Sequence, residues 1–231
     1  WMRLSATGRA GHGSMLNDEN AVTEIAEAVA RLGRYEWPVR LTPTVRAFFA
    51  EVFGREVTAE EAESLVASLG PLARMVGATL RNTVNPTMLQ AGYKANVIPQ
   101  TATAHVDGRF LPGHEEEFFA TVDELLGPNV TREFVYHDIA VESPFEGPLV
   151  QAISDALRAE DPTARAVPYT LSGGTDLKAF SRLGIRGFGF TPLRLPPELD
   201  FAGMFHGVDE RVPVDSLRFG VRVLDRFLDY S

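Results

Sequence analysis

Residues 81–112 read RNTVNPTMLQAGYKANVIPQTATAHVDGRFLP, and the fold turns on how they are divided. Two runs, 81–92 and 102–112, have strand character and are joined by the short connection YKANVIPQT. The second run alternates, with Ala102, Ala104, Val106 and Phe110 on one face and His105, Asp107 and Arg109 on the other. A period of two is the pattern of a strand buried on one side only. Upstream, residues 2–7 alternate in the same way. NDENAVTEIAEAVARLG (17–33) then predicts a helix, with Asn17 or Asp18 as its cap and Val22, Ile25, Ala26, Val29 and Leu32 as its apolar stripe. Gly33 suits the left-handed position that ends a helix. Downstream, HEEEFFATVDELLG (114–127) predicts a second helix stopped by Gly127, and NVTREFVYHDIAV (129–141) a fourth strand.

Between the first helix and the central stretch, WPVRLTP (37–43) reads as a connection and residues 55–80 as a helical insert. Thr58 and Glu61 form a capping box there, and Gly70–Pro71 breaks the insert in two. The order is therefore β-α-(insert)-β-β-α-β. This is a ferredoxin-like α+β arrangement, two helices on one face of a four-stranded antiparallel sheet, expected over residues 1–139.

ESPFEGP (142–148) marks a boundary, and residues 140–231 are expected to form a second domain. Its predicted elements are a helix near 147–160, a strand near 165–170, the loop LSGGTD (171–176), a helix at 175–183 and a strand at 186–192. A last helix starts at Pro213, with Val214, Leu217, Val221, Leu224 and Leu228 as its stripe. Strands alternating with helices predict a parallel α/β layer.

The chain has 231 residues, 45% of them hydrophobic, a formal net charge of -9 and no cysteine. The acidic surface argues against nucleic acid and anionic lipid as partners. Disulfides and thiolate metal sites are excluded, and a reducing, cytoplasmic setting is compatible. The chain opens on Trp1 with a strand already under way, so a piece of a longer protein is expected.

Five short stretches carry chemistry. GRAGHGS (8–14) flanks His12 with glycines, which allow close backbone approach; an exposed loop histidine is the alternative. SGGTD (172–176) is a strand-to-helix turn whose amides face a crevice, or simply a capped turn. Ser172 in it lacks the G-x-S-x-G setting of a serine nucleophile. FHGVDE (205–210) sets His206 near Asp209 and Glu210, chemistry compatible with zinc but short of three or four ligands. Asn96 in YKANVIP and Arg109 in DGRF complete the set. A guanidinium fork suits a carboxylate, though an exposed strand arginine is commoner.

Taken in order, GRAGHGSMLNDENAV, NTVNPTMLQAGYKANVIPQTATAHVDGRF, SGGTDLKAF and MFHGVDERVPVDSL resemble the M20 metallopeptidases, a family of carboxypeptidases, aminoacylases, deacetylases and dipeptidases. The resemblance runs through essentially the whole chain and is weakest at 55–80. It implies a ferredoxin-like lid followed by the C-terminal part of a zinc-peptidase α/β/α catalytic domain. It implies a cofactor of one or two zinc ions, a small peptide or N-acyl amino acid as substrate, and a homodimer formed through the lid.

Residue by residue, the resemblance makes His12 the oxyanion-stabilising histidine that reaches a partner's active site. Asn96, Arg109, Gly173, Gly174 and Thr175 become substrate contacts, and His206 a metal ligand. The family's H-x-D ligand, bridging aspartate and Glu-Glu pair find no match, since the acidic runs at 60–61 and 115–117 fall on helices of the lid region. The expectation is a hydrolase part that is inactive alone, against the alternative of a non-catalytic lid and dimerisation module.

Overall fold

The computed structural model describes residues 1–230. In chain order its elements are β1 (Met2–Thr7), β2 (Gly11–His12), α1 (Ala21–Arg34), α2 (Pro43–Phe53), α3 (Ala59–Ala67) and α4 (Ala73–Gly77). These are followed by β3 (Thr83–Ala91), β4 (Val97–Ile98), β5 (Thr101–Arg109), α5 (Glu115–Leu126), β6 (Val130–Phe134), α6 (Pro148–Glu160), α7 (Leu177–Arg182) and α8 (Val214–Tyr230). They divide into two units, Trp1–Pro38 with Arg81–Ala140, and Val39–Leu80 with the chain from Val141 onward. The last division falls between Ala140 and Val141, and the helical excursion groups with the second unit.

The first unit is the ferredoxin-like sheet, in the order β3-β5-β1-β6 with every neighbouring pair antiparallel. Met2, Leu4 and Ala6 of β1 and Ala102, Ala104 and Val106 of β5 point to one face. They meet Ile25, Ala28 and Leu32 of α1 and Phe118, Val122 and Leu126 of α5 in a single buried core. Trp37 stacks on Phe118 with ring centroids 5.1 Å apart. The small side chains at 102, 104 and 28 let helix and sheet approach closely. The buried line of α1 is Ala21, Ile25, Ala28 and Leu32, leaving Val22 and Ala26 exposed.

The cap of α1 is Asn20, whose Oδ1 accepts the Val22 amide at 2.9 Å, in place of Asn17 or Asp18. Asn17 is used in the turn before, where its Oδ1 accepts the Glu19 amide and its Nδ2 donates to Arg9 O. Gly33 lies inside the helix, which ends at Arg34. Arg31 instead reaches across to α5, donating to the carbonyls of Leu125 and Leu126 at 2.6 and 2.9 Å. It thereby satisfies acceptors that a helix end leaves open.

In the second unit the excursion begins earlier than expected. Residues 43–53 are helical as α2, capped by Thr42, opened by Pro43 and closed by Gly54 at φ 68°. Glu61 closes the predicted capping box by accepting the Thr58 amide at 3.2 Å. Val45, Phe49, Val57, Ala62, Val66, Val76 and Leu80 form the core of the excursion, and Tyr169 packs against it. The Arg40 amide donates to Leu80 O at 2.7 Å, so the two ends of the excursion lie side by side. The Thr44 amide donates to Glu142 at 2.8 Å, tying the start of α2 to the segment after the boundary.

The stretches expected as strands near 165–170 and 186–192 form no strand and have no ladder partners. An extended segment becomes a strand only when another pairs with its amides, and none does so among the described residues of this unit. The three helices expected after residue 141 are present as α6, α7 and α8, but α8 buries a different side from its predicted stripe. Phe219 and Val223 pack with Ala156 of α6 and with Phe190 and Phe227. Gly220 sits so close to Pro192 that a Cβ would lie 2.7 Å from its carbonyl oxygen. Val214, Leu217, Val221, Leu224 and Leu228 face outward, Val221 being 67% exposed. Glu160 joins α6 to α8 by accepting from Arg222 and Arg226, each at 2.6 Å.

The Tyr169 hydroxyl donates to Met75 O at 3.1 Å, and burial pushes its phenol up from 10.0 to about 12. A raised folded-state value means the folded chain holds the proton longer than the unfolded chain. Stability from this group is therefore intact below pH 10.0 and lost as pH rises toward about 12. Chemical denaturation across that range should show the wild type losing about 2 kcal/mol relative to Tyr169→Phe. Parallel pH profiles of the two proteins would refute the assignment.

Candidate active site

The site residues of the first unit are placed by an extension of its central ladder. β1 and β5 pair from Met2↔Val106 to Thr7↔Thr101, and the next rung is the Gly8 amide on Gln100 O at 2.8 Å. Pairing resumes with Gly11↔Ile98 and His12↔Val97 after one extra residue on the Gly8 side. That single offset is a bulge, which re-aims the side chains beyond it. His12 and Asn96, 84 residues apart in sequence, thereby become neighbours. The Gly13 amide donates to Asn96 O at 2.9 Å, and the Asn96 carboxamide nitrogen lies 3.4 Å from His12 Nε2.

The other ring nitrogen of His12 faces Ser14, whose Oγ is 2.8 Å from Nδ1 and whose amide donates to Nδ1 at 3.3 Å. A turn closed by the Met15 amide on His12 O at 3.0 Å brings Ser14 under the ring. The imidazole is exposed yet held from both sides. The glycine that demands close approach is Gly8, where a Cβ would lie 2.0 Å from Glu19 O. Gly11 has open space, and a Cβ at Gly13 would only touch the Asn96 backbone at 3.5 Å.

Arg109 ends β5 on the face away from the helices. Its Nε and Nη2 donate to the two carboxylate oxygens of Asp107 at 2.5 and 2.8 Å, and Trp1 Nε1 donates to the same carboxylate at 3.2 Å. Burial opposes the charged form of Asp107. The guanidinium outweighs it and holds the carboxyl below its ordinary value. One edge of the Arg109 fork is thus already committed to a neighbour two residues back on the same strand face. The alternation contained that partner; the reading of Arg109 alone did not use it.

Gly173, Gly174 and Thr175 form the turn that leads into α7, with the Lys178 amide donating to Thr175 O at 3.2 Å. His206 follows a short 3-10 turn at Ala202–Met204 and has φ 58°, with Asp209 at φ 64°. These are the two non-glycine residues with positive φ among the described residues, a conformation that costs energy and tends to persist at functional sites. No group of three or more His, Cys, Asp or Glu side chains that could hold a metal occurs among the described residues. The residues present do not by themselves fit a zinc centre, which takes three or four protein ligands. No helix among them is long and apolar enough to cross a membrane.

Comparison with known proteins agrees with the fold. The profile of the peptidase dimerisation domain of the M20 peptidases matches residues 1–129. The chain belongs to the M20 peptidase family. It is 24% identical over 230 residues to a probable carboxypeptidase S-like 2 of Dictyostelium discoideum, covering 94% of this chain and 44% of that protein. It is 27% identical over 212 residues to human aminoacylase-1, covering 84% and 50%. It is 26% identical over 238 residues to the human N-fatty-acyl-amino acid synthase/hydrolase PM20D1, covering 96% and 47%. The chain thus spans about half the length of the curated relatives it matches.

Among solved structures, the dipeptidase Dug1p of Saccharomyces cerevisiae matches with a TM-score of 0.62 at 12% identity, covering 99% of this chain and 53% of that one. An M20 family metallo-carboxypeptidase of Sulfolobus solfataricus, Sso-CP2, matches with 0.58 at 18%, covering 99% and 57%. At those identities the likeness concerns the fold.

The contact at Gly8 gives a direct test of the ladder. Gly8→Ala must displace either the Glu19 carbonyl or the β1 end, and is expected to cost about 1–3 kcal/mol in urea unfolding. A variant as stable as the wild type would mean that this approach does not hold the site.

Proposed function

We propose that these residues are the lid and part of the catalytic domain of a zinc-dependent hydrolase that cleaves the amide bond of a small peptide or N-acyl amino acid. What supports the substrate class is that relatives named for aminoacylase, fatty-acyl-amino acid hydrolase and carboxypeptidase activity align along most of the chain. The observation that carries the reading is the pairing of His12 with Asn96 on the bulged ladder, which gathers two hydrogen-bonding side chains at one exposed point.

In this reading His12 donates a hydrogen bond from Nε2 to the oxyanion of the tetrahedral intermediate, and Asn96 orients the substrate beside it. Asn96, Arg109, Gly173, Gly174 and Thr175 are the substrate contacts in this reading. Arg109 would meet a substrate carboxylate with the part of its guanidinium that Asp107 does not occupy. His206, in its left-handed turn, is one zinc ligand, and the remaining ligands and the general base come from outside these residues. A homodimer through the lid, for which the family of residues 1–129 and the open edges of β3 and β6 speak, would deliver His12 to the partner's cleft.

A preorganised donor to an oxyanion acts mainly in the transition state. In the full-length protein, His12→Ala is expected to lower kcat by roughly a hundredfold or more with little change in KM. An unchanged kcat would falsify the role. Titrating zinc into the 231-residue chain should show only weak binding, since a single histidine is a poor site. Tight stoichiometric uptake would instead place a complete metal centre within this chain.

A further inference from the structure

We propose that Ser14 is a positioning residue that fixes His12 in the tautomer carrying its proton on Nε2. The inference rests on the reading of His12 as an oxyanion donor, because only a ring nitrogen that bears hydrogen can donate. A neutral imidazole has one such nitrogen, and which one it is follows from what the other nitrogen faces. Nδ1 of His12 faces two groups of Ser14. The backbone amide, 3.3 Å away, can only donate, so it requires a lone pair on Nδ1. The hydroxyl, 2.8 Å away, can donate or accept, and beside a lone pair it donates. The amide therefore leaves the proton on Nε2, the nitrogen turned toward Asn96, and the hydroxyl adds a second donor that favours the same tautomer.

The geometry comes from the local sequence. His12–Gly13–Ser14–Met15 is a turn closed by the Met15 amide on His12 O at 3.0 Å. In such a turn the side chain of the first residue can accept the amide two residues on, as aspartate and asparagine commonly do. His12 uses Nδ1 in that way. On the far side, the Asn96 carboxamide is 3.4 Å from Nε2. A half-turn of that carboxamide presents Oδ1 in place of Nδ2 and gives the Nε2 proton an acceptor until an anion replaces it. The ring is thus oriented by its own turn, and its donor edge is left to the loop across the ladder.

The test uses nitrogen-15-labelled histidine in the 231-residue chain, at about pH 8.5, where an ordinary imidazole is neutral. Long-range proton–nitrogen correlation spectra distinguish the two tautomers. The His12 signals are identified by their loss in His12→Gln. The wild type is expected to show the Nε2-protonated pattern, Ser14→Ala a shift toward a mixture, and Ser14→Thr, which keeps the hydroxyl, a return to the wild-type pattern. A wild-type ring protonated on Nδ1, or a Ser14→Ala spectrum identical to the wild type, overturns the proposal.

In the full-length protein, Ser14→Ala should lower kcat with KM little changed, by less than the roughly hundredfold loss expected of His12→Ala. The two arms separate the two ideas. If the spectra shift as expected while His12→Ala keeps full kcat, the hold of Ser14 on the tautomer stands and the oxyanion role of His12 falls.

Discussion

The pairing of β1 with β5 is the constraint on which the first unit depends. β1 lies between β5 and β6 and leads directly into the site. Its inward residues Met2, Leu4 and Ala6 face the helices only in the observed register. A slip of one residue would turn them to the open face and bring Arg3, Ser5 and Thr7 inward. The same register decides which residues meet beyond the strand end. Gly8 finds Gln100, and after the bulge His12 finds Val97. The core therefore sets the coordinates of the candidate site, although no site residue is itself in the core.

Much of this unit was legible in the sequence because its signals are local. The alternation in 102–110, the strand at 2–7 and the Gly127 stop all describe the chain to its neighbours, and the structure follows them. The pairing of His12 with Asn96 was not legible from spacing, since it depends on a bulge that no single stretch encodes. Asn17 misled for a physical reason. Asn17, Asp18 and Asn20 are all competent caps, and the choice among them is made by the turn that Asn17 itself closes. Helix α2 carried readable signals in Thr42, Pro43 and Gly54, but proline on both sides of residues 39–42 resembled a connection.

The second unit was less legible because its signals there are ambiguous. α8 is apolar on more than one side, with Phe219, Val223 and Phe227 on one and Val214, Leu217, Val221, Leu224 and Leu228 on another. Periodicity alone could not choose between them. The choice is made by Gly220, which lets the helix lie against the Pro192 carbonyl and presents the phenylalanine side to α6. The runs at 165–170 and 186–192 have strand-like composition, but a ladder is a property of two segments, and composition describes one. Of the candidates here, His206 has a left-handed backbone, and the SGGTD turn stands immediately before α7.

The hydrogen bond between Arg40 and Leu80 has a bearing on how this architecture can vary. It brings together the two points where the excursion leaves and rejoins the first unit's stretch of chain, next to Pro38 and Arg81. Because the entropy of closing a loop grows only slowly with its length, residues can be added to or removed from such a segment with little effect on its anchors. Length changes at its exposed turn, residues 54–56, would thus leave the ladder carrying His12 and Asn96 in its register.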